Sequence, residues 1–311
     1  MNDKIKGLHH ITAIAGNARR NVEFYTKSLG LRMVKRTVNF DDPGTYHFYY
    51  GDETGAPGTI LTFFPWEGIT AGRNGTGMAT EIGYSVDPDS FGFWAERFRS
   101  LSVSQGPLAG RMGETYLPFR DPDGLAISLI ASAARDDRKP WNTPEVPAAV
   151  ALKGFHSVTL TLDRVAATAE LLTDVFGYRQ AGQEGNRYRF VADAAPAASI
   201  VDLVEATGQG EGLNGGGTNH HVAFRVADQD AQMALREKLL GKGLHATPVI
   251  NRDYFFSVYF REPGGVLFEL ATENPGFGVD EAPDKLGTAL KLPARYEPMR
   301  AAIEKSLPSL V

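Results

Sequence analysis

The sequence predicts an α+β protein of four βαβββ units arranged as two tandem domains, on three observations. The chain has 311 residues, enough for about two domains at roughly 150 residues each. Its halves repeat one another: Gly7-Leu8-His9-His10-Ile11-Thr12 is similar to Gly154-Phe155-His156-Ser157-Val158-Thr159, 147 residues on, and Phe119-Arg120-Asp121-Pro122-Asp123-Gly124-Leu125 to Phe260-Arg261-Glu262-Pro263-Gly264-Gly265-Val266, 141 residues on. Gly77 to Val86 likewise resembles Gly217 to Val226, at an offset of 140. Within each half the same grammar occurs twice: a strand, a capped helix, then strands divided by turns.

In the first unit, a strand from Leu8 to Ala15 leads to Asn17, a helix N-cap, and to a helix with Val22, Tyr25 and Leu29 on one face. Gly30 ends it, as glycine does after a last helical turn. Strands near Met33 to Phe40, Tyr46 to Tyr50 and Thr59 to Phe64 follow, separated by Asp-Asp-Pro-Gly and Gly-Ala-Pro-Gly turns. The second unit, Gly77 to Ser132, has a helix carrying Phe91, Trp94, Phe98 and Leu101. The third, Lys153 to Glu205, places Leu172 and Phe176 late in its helix, with Gly177 beyond. The fourth, Thr218 to Thr272, has Leu235 and Leu239 on a helix stopped at Gly241. The expected domains are 1–132 and 152–272, joined by a charged, proline-containing linker at 133–151. A tail at 273–311 is expected to lie across the body, with one helix near Ala294 to Ser306.

Lys and Arg number 32 against 37 Asp and Glu, a net charge of −5 with no basic block, which argues against nucleic-acid or anionic-membrane partners. The N-terminus lacks an apolar signal core, and the longest apolar run, Leu125 to Ala134, is far short of the roughly 20 residues of a membrane span. The chain reads as soluble and cytoplasmic. With no cysteine there is no disulfide, thiolate nucleophile or thiolate-held metal, so any metal must be held by nitrogen and oxygen. Seven histidines remain, four of them in the pairs His9-His10 and His220-His221.

Strand parity separates the members of a pair. On the strand 219–226, His220, Val222, Phe224 and Val226 share the apolar, helix-facing side, which leaves His221 on the concave face. On the strand 266–271, Glu269 stands on the face opposite Val266, Phe268 and Leu270, and a carboxylate there is costly to bury unless a cation meets it. One strand-helix-strand excursion of 48 residues separates His221 from Glu269. The matching positions in the second unit are Glu81 and Ser128, so one site per chain is expected. Two histidines and one carboxylate on one face are a common Fe(II) set that leaves positions open for substrate and O2. The second histidine must come from the opening strand of another unit.

The four βαβββ units, with His and Glu on concave sheets, resemble the glyoxalase/bleomycin-resistance/extradiol dioxygenase superfamily, the vicinal oxygen chelate proteins. More closely, Gly7 to Thr12, Lys35-Arg36-Thr37, Gly55-Ala56-Pro57-Gly58-Thr59, Gly154-Phe155-His156-Ser157, Glu184-Gly185-Asn186-Arg187, His220-His221 and Pro263 to Glu269 resemble the hydroquinone ring-cleaving branch, the 2,6-dichlorohydroquinone 1,2-dioxygenase type. The resemblance covers nearly the whole chain. It implies Fe(II), with Mn(II) suiting the same ligands, held by His10, His221 and Glu269, and first and fourth units meeting around one metal. It further implies His9, His220, Arg252 and Tyr259 behind the ligands, the histidines as proton shuttles and Arg252 and Tyr259 as stabilisers of negative charge.

The implied partners are a small aromatic substrate and O2; a homo-oligomer stays open. A second route draws the first ligand from the third unit, at His156, although His156 aligns with His9 and not with His10. Tyr259 shares a face with Glu269 only if the intervening hairpin loop is odd in length. His47 and His245 read as surface or packing residues, and the glycines at 208–217 as a mobile loop, a candidate lid, beside the second histidine pair. Two other functions remain open: a glyoxalase-type isomerase or lyase, and a metal-free protein that sequesters small aromatics.

Overall fold

A computed structural model describes residues 5–131 and 136–310. The expected boundary at 132 and the first linker residues lie outside them. The first unit supplies β1 (Leu8–Ala15), β2 (Arg32–Val38), β3 (Tyr46–Gly51) and β4 (Ile60–Pro65). The second supplies β5 (Met78–Ser85), β6 (Ala109–Arg111), β7 (Glu114–Arg120) and β8 (Ala126–Ala131). The third supplies β9 (Phe155–Leu162), β10 (Arg179–Glu184), β11 (Arg187–Val191) and β12 (Ile200–Glu205). The fourth supplies β13 (Asn219–Val226), β14 (Ile250–Asn251), β15 (Phe256–Arg261) and β16 (Leu267–Thr272).

Helix α1 (Ala18–Glu23) starts where the Asn17 side chain accepts from the Arg20 N–H, then relaxes into a π-helical turn at Phe24–Ser28. Helix α2 (Phe91–Ser100) buries Trp94 and Phe98 but leaves Leu101 exposed beyond its end. Helix α3 (Ala166–Glu170) runs into a second π-helical turn, Leu171–Val175, which buries Leu172. Helix α4 (Gln229–Gly241) ends at Gly241, as expected. Lys242 caps the helix, and Gly243 takes the left-handed conformation at φ +78.

The strands form two curled eight-stranded sheets, ordered β14-β15-β16-β13-β1-β4-β3-β2 and β10-β11-β12-β9-β5-β8-β7-β6. The first unit therefore pairs with the fourth through antiparallel β1 and β13, and the second with the third through β5 and β9. Each sheet draws one unit from each half of the chain. The apolar core lies between the sheets and their helices, with Trp94, Phe98, Phe176, Phe224, Leu235 and Phe268 in one continuous cluster.

The tail lies across the edge of the first sheet. Leu290 bridges to Arg36 on β2, and Leu292, Ile303 and Leu307 pack on Val38. Fully buried Lys35 is neutralised by Asp280 and Glu281 from the tail. The expected single helix comes in two pieces, a 3₁₀ stretch Ala294–Met299 containing Pro298, then α5 (Arg300–Ser306), because proline has no N–H to continue an α-helical ladder. Among the described residues no helix is long and apolar enough to cross a membrane.

The glycine-rich loop is not a free lid. It is zipped to its counterpart in the first half by bridges Ala71–Gly216, Arg73–Leu213 and Thr76–Glu211. A Cβ on Gly75 would stand 2.5 Å from the Gly212 amide nitrogen, and one on Gly215 2.6 Å from that of Gly72. The glycines let two backbones touch, which clasps the halves together next to β13.

Candidate metal centre

Both histidine pairs owe their geometry to a kink in the β1–β13 ladder. Leu8 pairs with Phe224 and His10 with Ala223, so His9 is an extra residue on β1. Thr12 pairs with His221 and Ala13 with Asn219, so His220 is an extra residue on β13. A β-bulge turns the strand locally and re-aims side chains. Strand parity alone sets His220 with Val222 on the helix side, whereas the bulge turns it to the wall of a cavity on the concave face.

The bulges bring neighbours into contact. His9 and His10 meet through their Nδ1 atoms at 2.9 Å, and His220 and His221 at 2.8 Å. With His9 and His220 accepting, the Nδ1 atoms of His10 and His221 are engaged, and Nε2 is the atom each would present to a cation. Those Nε2 atoms lie 3.4 Å apart, and Glu269 Oε2 stands 3.2 Å from His10 Nε2 and 3.0 Å from His221 Nε2. The other carboxylate oxygen accepts from the Ser257 hydroxyl at 2.5 Å. The ladder makes this convergence: His10 pairs with Ala223, whose small side chain separates it from Glu269 on β16.

Burial opposes charge on Glu269, but the His10 and His221 imidazoles outweigh it and hold the carboxyl well below its ordinary range. Burial, reinforced by each neighbouring histidine, pushes His9 and His220 down to about 3, and burial also lowers His221. At neutral pH His9 and His220 are therefore neutral imidazoles, suited to orienting their neighbours. An ionised carboxylate facing two imidazole Nε2 atoms is a donor set for a divalent cation. Glu269 Oε2, fully buried without a hydrogen-bond partner of good geometry, fits that use.

The triad lies at one side of a cavity of about 350 Å3 with walls of Phe40, Phe64, Trp66, Phe255 and Tyr259. Phe255 packs on both His9 and His10, at ring separations of 5.2 and 4.9 Å. The β15–β16 hairpin loop is odd in length, and Tyr259 pairs directly with Glu269. Arg252, just after β14, donates to the Tyr259 hydroxyl at 3.3 Å and meets Asp41 at 3.2 Å. Burial works against its charge, yet Tyr259 and Asp41 raise its pKa above the ordinary value, so it stays cationic. Burial and the Glu269 charge keep Tyr259 protonated.

His156 is elsewhere. It is the bulged residue of β9 in the second sheet, where Tyr84 pairs with Phe155 and Gly83 with Ser157. Its Nε2 meets Glu114 at 3.0 Å, inside an ionic network in which Arg189 joins Glu114 to Asp202, and Glu81 pairs with Arg111. In this sheet Glu81, at the position matching His221, is engaged by Arg111. Of the two histidines expected at the surface or in packing, His245 is exposed, and His47 packs on Tyr49 and Phe64 and also lines the cavity. Alternation on β3 puts His47 and Tyr49 on one face. What the sequence does not show is that β3 lies two strands from β1 in the same sheet.

This fold and donor set define a protein of the vicinal-oxygen-chelate type. The chain belongs to the Glyoxalase/Bleomycin resistance protein/Dioxygenase superfamily, which it matches over residues 7–129 and 154–270. It is 42% identical over 99% of its length, and 97% of the relative's, to MhqO of Bacillus subtilis (strain 168), a protein assigned by name alone to the ring-cleaving dioxygenases. It is 36% identical to the chlorohydroquinone/hydroquinone 1,2-dioxygenase of Sphingobium indicum, covering 98% of this chain and 97% of that one. A crystal structure from Bacillus subtilis, described only by the name of a dioxygenase, superimposes with a TM-score of 0.94 at 41% identity, over 98% of this chain and 97% of the other.

Proposed function

We propose that this protein is an Fe(II)-dependent, extradiol-type dioxygenase that cleaves the ring of a hydroquinone or related dihydroxylated aromatic. The observation that carries the reading is the convergence of His10 Nε2, His221 Nε2 and Glu269 Oε2 beside an aromatic-walled cavity large enough for one substituted ring. The name of the Sphingobium relative supports the substrate class, and that of MhqO supports ring cleavage. In this reading His10, His221 and Glu269 would hold the metal, which would supply coordination of a phenolic oxygen and activation of O2. Mn(II) suits the same ligands.

The chain's own residues do the rest. His9 and His220 fix the tautomers of the two histidine ligands, and Ser257 holds the second oxygen of Glu269. Phe64, Trp66 and Phe255 clamp the ring and exclude water. Arg252, kept cationic, and Tyr259, kept protonated, present hydrogen-bond donors where negative charge develops on substrate oxygen. The test is oxygen uptake by protein purified without oxygen, loaded with Fe(II) and given hydroquinones and catechols. Uptake that depends on added iron and is lost in His221→Ala supports the reading. Turnover of thiol adducts without oxygen consumption would replace it with an isomerase or lyase.

A further inference from the structure

The two outer hairpins of the first sheet are twins. Asn39, just after β2, accepts at Oδ1 from the Asp41 N–H at 2.9 Å, and Asn251, the last residue of β14, accepts in the same way from the Asp253 N–H at 2.8 Å. Strands β2 and β14 are the opposite edges of the sheet, and the Arg252–Asp41 pair joins the loops that follow them. His10, His221 and Glu269 stand on the central strands β1, β13 and β16. The joined loops therefore close the curl across from the triad, with Asn39, Phe40, Asp41 and Arg252 on the cavity wall.

The twins differ in their surroundings. Asn251 is exposed, so its Nδ2 is open to water. Asn39 is nine-tenths buried and lines the cavity. Thr37 pairs with His47, and alternation puts Asn39, two residues on, on the same concave face, where its N–H extends the ladder to the Thr45 carbonyl at 2.8 Å. With Oδ1 committed to Asp41, the amide orientation is set and Nδ2 turns away from its own loop. Nδ2 has no hydrogen-bond partner among the described residues. Other polar groups on the wall are engaged by the protein: Trp66 Nε1 by Asp42, both His47 nitrogens by Thr62 and Tyr49, and Arg252 by Tyr259 and Asp41. An enclosed amide donor left unpaired carries the desolvation penalty of an unmade hydrogen bond, which a ligand oxygen relieves.

We propose that Asn39 is a specificity-determining residue whose Nδ2 donates to the ring oxygen para to the one at the triad, and so favours 1,4-diols over 1,2-diols and monophenols. In a 1,4-diol the second oxygen lies the full width of the ring from the first, towards the joined loops. In a 1,2-diol both oxygens lie on the triad side, and a monophenol has no second oxygen, so with either ring Nδ2 stays unpaired. A site built around a hydrogen bond to one substrate group disfavours the analogue that lacks it, because the site's own polar atom is then left without a partner.

The inference rests on the ring-binding function proposed above, and the test separates the two. Protein loaded with Zn(II), which does no redox chemistry, is titrated by calorimetry with hydroquinone, catechol and phenol. Wild type binds hydroquinone about tenfold more tightly than phenol, roughly the worth of one hydrogen bond. Asn39→Ser removes Nδ2 while its hydroxyl still serves the Asp41 N–H. Its affinity for hydroquinone falls about tenfold, and its affinities for phenol and catechol stay as in wild type. Asn251→Ser makes the same change in the twin loop, outside the cavity, and alters none of the three. If Asn39→Ser does not fold, Asn39→Thr decides on the same criterion. Equal wild-type affinities for hydroquinone and phenol, an unchanged ratio in the variant, or an equal loss for all three rings overturns the inference and leaves the proposed function standing. Failure of the wild type to bind any of the three overturns the ring-binding function and the inference with it.

Discussion

Nδ1 of His220 lies 2.8 Å from Nδ1 of His221, and the opening strand repeats the contact between His9 and His10 at 2.9 Å. Adjacent strand residues ordinarily point to opposite faces. Here a bulge at the first member of each pair turns both rings towards one another, and the contact engages Nδ1 of the second ring and leaves its Nε2 towards Glu269.

Removing that contact should loosen the metal, with the triad itself intact. His9→Leu and His220→Leu are each expected to weaken Fe(II) or Mn(II) binding by about 10- to 100-fold, the usual effect of losing an orienting partner behind a histidine ligand. A metal titration with a competing chelator measures this; unchanged affinity in both variants would deny the orienting role.

His10 and His156 should separate cleanly. His10→Ala is expected to abolish tight metal binding with little loss of stability. His156→Ala is expected to keep full metal content but to unfold at lower denaturant, because Glu114 loses one of its two partners. The reverse pattern would place the metal in the second sheet.

The second-sheet network sets an acid limit. Burial opposes the charge of Glu114, but His156 and Arg189 overcome it and hold the carboxyl at about 2, against 4.5 when free. A depressed carboxyl stabilises the fold fully above its unfolded value. That contribution is lost as pH falls from 4.5 towards 2. Urea midpoints between about pH 6 and pH 3 should therefore fall more steeply for wild type than for Glu114→Gln, and equal slopes would remove Glu114 from the account.

The glycine clasp should be intolerant of a single methyl group. In Gly75→Ala the new Cβ meets the Gly212 amide nitrogen at 2.5 Å and the Gly210 carbonyl at 2.6 Å. Both are backbone atoms, so destabilisation of about 1–3 kcal/mol is expected from overpacking, read as a lower Tm. Gly210→Ala, where a Cβ meets nothing within 4 Å, is the neutral control.

Most of the architecture was legible because a duplicated unit repeats its turn and strand residues, and β1 spans the expected Leu8–Ala15. Glu269 was legible because a lone carboxylate on a strand bearing Val266, Phe268 and Leu270 is costly without a cation. The bulges at His9 and His220 were not, since a bulge is a property of two strands in register and not of one. For the same reason the clasp looked like a free loop: glycine richness permits both mobility and close backbone contact, and only the partner loop decides between them. The place of His47 on the cavity wall was not legible either, because it depends on β3 lying two strands from β1 in the same sheet.

The central claim is tested most directly by following the oxygen atoms. Iron-loaded protein, hydroquinone and ¹⁸O2 should yield an open-chain product carrying both labelled atoms, seen as a mass increase over the unlabelled product, and Glu269→Ala should yield none. A quinone free of label, or no oxygen-dependent product from any dihydroxylated ring, would contradict the assignment of this site to ring cleavage.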